Sequence, residues 1–412
     1  MRRIRARQSR NIFSMTNMLI ADFHIHSKYS RACSKNLTLP GIAAACETKG
    51  IDLVATSDFT HPAWMKHIDE ELEECAPGIF QLTGARSKTK FILVTEISSI
   101  YSQGGKVSRV HSLIFSPSIA AAKQLIKILT EEGCNLKSDG RPIIGVSAKE
   151  LLRICHEISP DMELVPAHAW TPWFSVFGSK SGFDSLEECF GELTPLVHAI
   201  ETGLSSDPEM NHLVSALDNI TLISNSDAHS LDKLGREATV LSIDTNKKYS
   251  YHDILSAIRN KKNIDTIEFF PEEGKYHIDG HAVCKFSCDP DETKKLNGLC
   301  PVCHRQMTVG VLSRVKELAN RSSSKVIHTS RHIIPLIELI SHVKKVGVSS
   351  KKVTSLYDEM IKKFGTEFSI LLDADVALIG SCDEDVARVI AAMRSNNIKF
   401  SSGYDGIFGK II

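Results

Sequence analysis

Short apolar runs that end abruptly in an acid or a histidine recur through the first half of the chain. Residues 18–21 run into Asp22-Phe23-His24-Ile25-His26, and residues 51–56 run into Ser57-Asp58, with His61 just beyond. Residues 91–95 end at Glu96, 163–167 at His168, 197–200 at Glu201, and 221–224 at Asn225-Ser226-Asp227-Ala228-His229. Between several of these runs lie helical stretches. In 39–50, proline stands near the start and glycine just past the end, the asymmetry of a capped helix, and 119–132 and 148–158 follow. Strand, helix and strand with polar residues at the strand ends predict a parallel α/β sheet or barrel, whose ligand face lies at the carboxyl ends of the strands. One connection differs. Gly104-Gly105 separates two β-rich runs, which predicts a hairpin that returns His111 toward the same face on an antiparallel strand. With that strand, residues 18–225 contain about seven.

The end of the chain changes period. Residues 313–320, 334–346, 352–364 and 383–395 read as helices, and Val386, Val389, Ile390 and Met393 make one apolar stripe that predicts a core face. The longest apolar stretches are strand-sized, far below the roughly eighteen residues of a membrane span. The expected organisation is a disordered basic tail over 1–17, a barrel over 18–275, a small metal-binding segment over 276–312 and a helical domain over 313–412.

Composition adds that 42% of the 412 residues are apolar and 24% charged, ordinary for a soluble globular protein. Eleven cysteines, an odd number and mostly scattered, suit free thiols in a reducing compartment and predict a cytoplasmic location. The formal net charge is zero but unevenly spread. Residues 304–412 carry 16 Lys+Arg against 11 Asp+Glu, the first ten residues carry five arginines, and the remainder is acidic. An acidic body suits metal ions and a basic end suits phosphates. Arg314, Lys316, Arg321, Lys325, Arg331, Lys344, Lys345, Lys351 and Lys352 are the candidate phosphate contacts.

The candidate chemistry lies at the strand ends. In an extended segment side chains alternate, so His24 and His26 share a face and could hold one metal. With 17 histidines in the chain, a lone His-x-His is weak evidence. Its weight comes from Asp58, Glu96, His111, His168, Asp227 and His229, all placed where one barrel face would gather them. Imidazole and carboxylate are ligands for Zn²⁺, Mn²⁺ or Fe²⁺. A second cluster, Cys284-x3-Cys288 and Cys300-x2-Cys303, has the spacing of a structural zinc on two short knuckles, with His281 and His304 flanking it as alternative ligands.

These motifs resemble those of the PHP (polymerase and histidinol phosphatase) domain, and within that superfamily the endonuclease Q family. The resemblance runs over nearly the whole chain from Met18. It is carried by Asp22-Phe23-His24-Ile25-His26, Ser57-Asp58-Phe59-Thr60-His61-Pro62, the segment 167–175 (AHAWTPWFS), the segment 181–190 (SGFDSLEECF), the segment 201–208 (ETGLSSDP) and the segment 403–409 (GYDGIFG).

The resemblance implies a distorted (β/α)7 barrel with two divalent ions, Zn²⁺, Mn²⁺ or Mg²⁺. His24, His26, Glu96 and Asp227 would surround one ion, and Glu96 would bridge to a second held by His111 and His168. The family's third site uses a histidine soon after the His-x-His, which residues 27–34 lack. Asp58, His61 and His229 would hold a weaker third ion or serve as orienting and proton-transfer groups. The implied activity is cutting of DNA on the 5′ side of uracil, hypoxanthine, xanthine or an abasic site, with Asp227 the most sensitive residue. Trp170, Trp173 and Phe174 are candidates for stacking on an extruded base, Glu201 and Ser205 for hydrogen bonds to it, and Tyr404 for a wedge beside the lesion. Damaged DNA is the expected partner. A sliding clamp is a second one, although no extended clamp-binding motif stands out.

Overall fold

The computed structural model describes residues 18–85, 87–323 and 329–412. The tail expected over 1–17 and the candidate phosphate contact Lys325 fall outside these residues.

The first strand, Leu19–Asp22, is buried throughout. It lies parallel to Leu53–Ala55 and antiparallel to Ala238–Leu241, and Leu53–Ala55 lies parallel to Lys90–Ile92. Strands covered on both faces read as continuous apolar runs, and for that reason they were legible. The chain passes Leu93 into Val94–Gln103 and folds back as Lys106–Phe115 in the expected hairpin. Its turn is closed by Gly104 and Gly105 with φ of 58° and 79°, positive at both central positions as a tight hairpin requires. Lys106–Phe115 then pairs antiparallel with Glu163–Pro166, and Ala199–Glu201 pairs parallel with Thr221–Ile223. The ring closes where His26 N donates to Ala228 O at 3.0 Å, joining the end of the first strand to the loop after Thr221–Ile223. The result is a distorted barrel in separate sheet pieces, its strand ends converging on one mouth.

Several strands were not expected, among them Ala238–Leu241, Ile264–Phe269 and an added edge hairpin. Leu72–Ala76 and Ile79–Leu82 form a hairpin on the edge of Lys90–Ile92. The first is half-exposed and reads Leu-Glu-Glu-Cys-Ala, a pattern without clear alternation.

The small segment after the barrel is a hairpin of Asp279–His281 with Phe286–Cys288, followed by a turn that brings Cys300 and Cys303 back toward it. The C-terminal part is largely helical, with Leu336–Lys344, Lys351–Phe364, Val376–Gly380 and Glu384–Arg394. Val386, Ile390 and Met393 are buried, as the stripe requires, and Val389 is half-buried. Two pieces of this end leave the helices. Ser330–Ile333 joins the barrel sheet beside Ile264–Phe269, and Tyr404 pairs with Ile278 at the base of the cysteine hairpin.

Candidate metal centre

Three of the side chains at the mouth are delivered through sharp local turns, whereas Glu96 and His111 project from within strands. Asp58, His168 and Asp227 have φ of 37°, 28° and 46°, a left-handed backbone unusual outside glycine. Such conformations persist where surrounding structure over-determines them, and here they turn three strand ends inward.

Glu96 is the centre of what they surround. Its Oε1 lies 2.6 Å from His111 Nδ1 and 3.3 Å from His168 Nε2. Its Oε2 lies 3.3 Å from both His24 Nε2 and His26 Nε2. Asp227 Oδ1 faces the same two imidazoles at 3.5 and 3.1 Å. The side chains therefore form two ligand groups, His24/His26/Glu96/Asp227 and Glu96/His111/His168, with the ligand atoms of each within 4.8 Å of one another.

The donor set fits divalent cations. His24 Nε2 is buried without a hydrogen-bond partner although two carboxylates face it. Burial lowers the His24 pKa, yet the charges of Glu201, Glu96 and Asp227 hold it well above the usual range. His26 is likewise pushed up to about 10 against the effect of its burial.

Around this pair the remaining residues take positions the sequence did not separate. Asp58 is not in either ligand group. Its Oδ2 accepts from Ser27 N, Ser27 Oγ and Ser30 Oγ at 2.6–2.8 Å, and its Oδ1 faces His26 Nδ1 at 3.3 Å, on the side of that ring away from Glu96 and Asp227. His61 is stacked under Tyr29, ring centroids 4.6 Å apart, and also stands outside the groups. His229 flanks His26, ring to ring 4.5 Å, with Nδ1 2.9 Å from Asp227 O. Burial lowers the His229 pKa against the opposing charge of Asp227. Among the described residues, Asp58, His61 and His229 thus form no third ligand group.

Glu201 is engaged as well. It is buried, and its oxygens meet His24 Nδ1, His168 N and Asn225 Nδ2 at 2.6–3.0 Å, so it holds neighbouring groups in place as well as lining the cleft above them.

Above the ligand groups opens a cleft of about 920 Å³. Trp173, Phe174 and Ser205 line it as expected. Trp170 does not: it is buried, donates from Nε1 to Asn211 Oδ1 at 2.7 Å and packs on Phe177. Tyr404 packs against Gly280 instead of the cleft, where a Cβ on the glycine would meet its ring at 2.4 Å. The aromatics that the sequence reading missed are Tyr276 and Phe408, both under Lys275 Nζ at 5.5 and 6.0 Å from the ring centroids. Phe408 lies in the 403–409 motif, so the signal was present but pointed to the wrong ring. Arg141, Lys233 and Arg236 also line the cleft, from loops without a distinguishing pattern.

Comparison with known proteins gives concordant results. A lesion-specific endonuclease of Pyrococcus furiosus, PfuEndoQ, superposes with a TM-score of 0.84 at 31% identity, covering 96% of this chain and 95% of that one. Endonuclease Q bound to a 27-mer duplex with an abasic lesion at its active site superposes with a TM-score of 0.85 at 31% identity, covering 96% of each chain. The chain belongs to the endonuclease Q family. Its fold is accordingly the PHP-type barrel with a cysteine-rich segment and a helical end. Residues 335–397 match the MJ0043 C-terminal domain family. The uncharacterized protein MJ0043 of Methanocaldococcus jannaschii is 34% identical over 253 residues, 59% of this chain but 31% of that protein. The uncharacterized protein YqxK of Bacillus subtilis is 29% identical over 95% of this chain and 99% of its own length.

The cysteine cluster is rearranged relative to expectation. His281, Cys284, Cys300 and Cys303 bring their ligand atoms together, with His281 Nδ1 3.4 Å from Cys303 Sγ. Cys288 is not part of this group, and its Sγ meets Thr293 Oγ1 at 3.3 Å. The hairpin register explains the exchange. Cys288 is paired with Asp279 at the far end of the ladder, whereas His281 sits at its tip beside Cys284. At about 3.3 Å per residue, the strand carries Cys288 out of reach.

Several basic residues of the C-terminal part are tied internally. Arg314 is buried and bonds Phe177 O, Phe183 O, Asp184 and Glu317; Arg321 bonds His212 O and Asp218; Lys344 pairs with Asp383. Lys316, Lys345, Lys351 and Lys352 are exposed.

Proposed function

We propose that the protein is a metal-dependent DNA repair endonuclease that hydrolyses the phosphodiester 5′ of a deaminated base (uracil, hypoxanthine or xanthine) or an abasic site. The observation that carries the reading is Glu96: one buried carboxylate shared by two ligand groups, at the floor of a cleft lined by aromatic and cationic side chains. Bound divalent ions would supply Lewis acidity and a water acidified from a pKa of about 15.7 to about 7.

The chain's own residues do the rest. Glu201 and Asp58 fix the imidazoles of His24 and His26 from behind, and Thr171 Oγ1 does the same for His168 Nδ1 at 3.1 Å. Asp227, its side chain 28% exposed, is the carboxylate open to the cleft and able to orient a water there. His229 beside it, its pKa lowered by burial, can take or return a proton. Trp173, Tyr276 and Phe408 offer faces for an extruded base, where stacking is worth about 1–3 kcal/mol and offsets flipping. Lys275 and the exposed lysines of the C-terminal part meet phosphates along the duplex. The eleven free thiols support a reducing, cytoplasmic setting, and no helix among the described residues is long and apolar enough to cross a membrane. The metal cluster of the cysteine segment suits one structural Zn²⁺. A sliding clamp has no support among the similar proteins.

A labelled duplex carrying a single deoxyuridine, deoxyinosine or abasic site, incubated with Mg²⁺, Mn²⁺ or Zn²⁺, tests the reading. Nicking 5′ of the lesion that Asp227→Asn abolishes is the expected result. Cleavage of a small phosphate ester without cleavage of DNA would favour a PHP phosphatase, and binding without cleavage under every ion would favour a non-catalytic DNA-binding accessory. Trp173→Ala should slow cutting at uracil and abasic sites, and an unchanged rate would remove it from base recognition.

A further inference from the structure

Arg141 stands beside the ligand groups without belonging to them. It is one residue from Pro142, whose carbonyl accepts from Ser98 N at 3.0 Å, so it is anchored to the strand that carries Glu96. The preceding residues are held as firmly. Asp139 Oδ1 accepts from Arg31 N and Arg141 N, both at 3.2 Å, and Gly140 N donates to Tyr29 O at 3.0 Å. Gly140 lies so close to Asp58 that a Cβ would fall 2.3 Å from Asp58 Oδ2 and 2.4 Å from Ser30 Oγ. A side chain at position 140 would push the loop away from the site, and Arg141 with it.

The guanidinium so placed uses one donor on the protein: Nη1 reaches Glu96 Oε2 at 3.1 Å. Among the described residues its Nε and Nη2 have no partner, while the side chain is 25% exposed and lines the cleft. Other cations of the cleft are engaged differently. Arg236 donates to Ser226 O and Asp227 O, Lys233 pairs with Glu338, and Lys275 covers Tyr276 and Phe408 at the mouth. A planar fork with unused donors, beside the carboxylate shared by both ligand groups, is suited to a phosphate oxygen.

We infer that Arg141 is a catalytic residue, donating to a non-bridging oxygen of the scissile phosphate and stabilising the charge that grows there as the bond breaks; the inference rests on the phosphodiesterase reading above. Fixed donors aimed at developing charge are typically worth about 10²–10³ in rate. A residue that only held Glu96 in place would instead act through the ions.

The test compares the parental protein with R141K, R141M and R141A on a duplex with one abasic-site analogue, under single turnover with Mn²⁺, alongside ion content by mass spectrometry and DNA binding in EDTA. The expected result is an ion content equal to the parent's and cutting by R141M slower by about 10²–10³-fold. Free guanidinium should partly restore R141A, and in EDTA the salt slope of R141M binding should be shallower by about one. Cutting by R141M at the parental rate, loss of an ion, or absence of rescue in folded R141A would overturn the inference. No cutting by the parental chain with any of the three ions would overturn both it and the reading beneath it.

Discussion

Both carboxylate oxygens of Glu201 lie 3.0 Å from Nδ1 of His24, and one of them also accepts from His168 N at 2.6 Å. A single buried acid therefore sets the ring orientation of a ligand in the first group and the backbone of a ligand in the second. Groups that orient ligands from behind typically contribute about 10–100-fold in metal affinity. Glu201→Gln should weaken binding of Mn²⁺ to the metal-free protein by about that factor in calorimetric titration, while a protein whose Glu201 merely touched substrate would bind Mn²⁺ as the parent does.

Lys49 Nζ lies 2.6 Å from Glu367 Oε2, with both side chains buried, and joins the first helix of the barrel to the C-terminal helices. Glu367 also accepts from Leu336 N and Tyr357 OH. Removing one partner of a buried pair leaves an uncompensated charge, at a cost of about 3–5 kcal/mol. Lys49→Met should cost about that much in urea unfolding, and K49M/E367Q should cost less than the two single changes added together. Simple additivity would show that the pair is not coupled.

Glu237, just before the strand Ala238–Leu241, and Glu268, on the neighbouring strand Ile264–Phe269, are both fully buried. Burial pushes the Glu268 carboxyl from its ordinary 4.5 up to about 7, and burial together with the Glu268 charge pushes Glu237 well above its usual range. A carboxyl whose folded pKa is raised holds its proton more tightly in the native state. Its stabilisation is complete below about pH 4.5 and is lost as pH rises through about 7. Unfolding free energy of the metal-free protein should therefore carry a component that falls between pH 5 and 8, and Glu268→Gln should shrink it. An identical pH profile for the variant would contradict this account.

In the cysteine segment the ligand exchange has a direct readout. Cys288→Ser should retain one tightly bound zinc per chain, whereas His281→Ala and Cys300→Ser should lose it, and with it the fold of a segment that has little core of its own. Loss of zinc from C288S with retention in H281A would restore the four-thiolate arrangement.

How much of this was legible from the chain follows from where each signal lies. Strands buried on both faces appear as apolar runs, their ends are marked by the change to Asp, Glu or His, and a Gly-Gly pair announces a hairpin. Those local features were enough to place His24, His26, Glu96, His111, His168 and Asp227 at one mouth, while the expectation that Glu96 is shared came from the family resemblance. The half-exposed hairpin Leu72–Ala76 with Ile79–Leu82 escaped because its pattern lacks alternation.

What the sequence could not separate was residues of one chemical type with different partners. Glu201 and Glu96 both close apolar runs in the sequence, yet one holds rings from behind and the other spans two ligand groups. Trp170 and Trp173 are three residues apart in one motif, but a bond to Asn211 commits the first to the core and leaves the second at the cleft. Cys288 fits a zinc spacing until hairpin register puts His281 in its place. Arg141 carries no motif at all, and its position depends on Gly140 fitting against Asp58 from a distant part of the chain. Local sequence determines which residues can coordinate, stack or donate. Which of them do is decided by contacts between segments far apart in sequence, and those exist only once the barrel has closed.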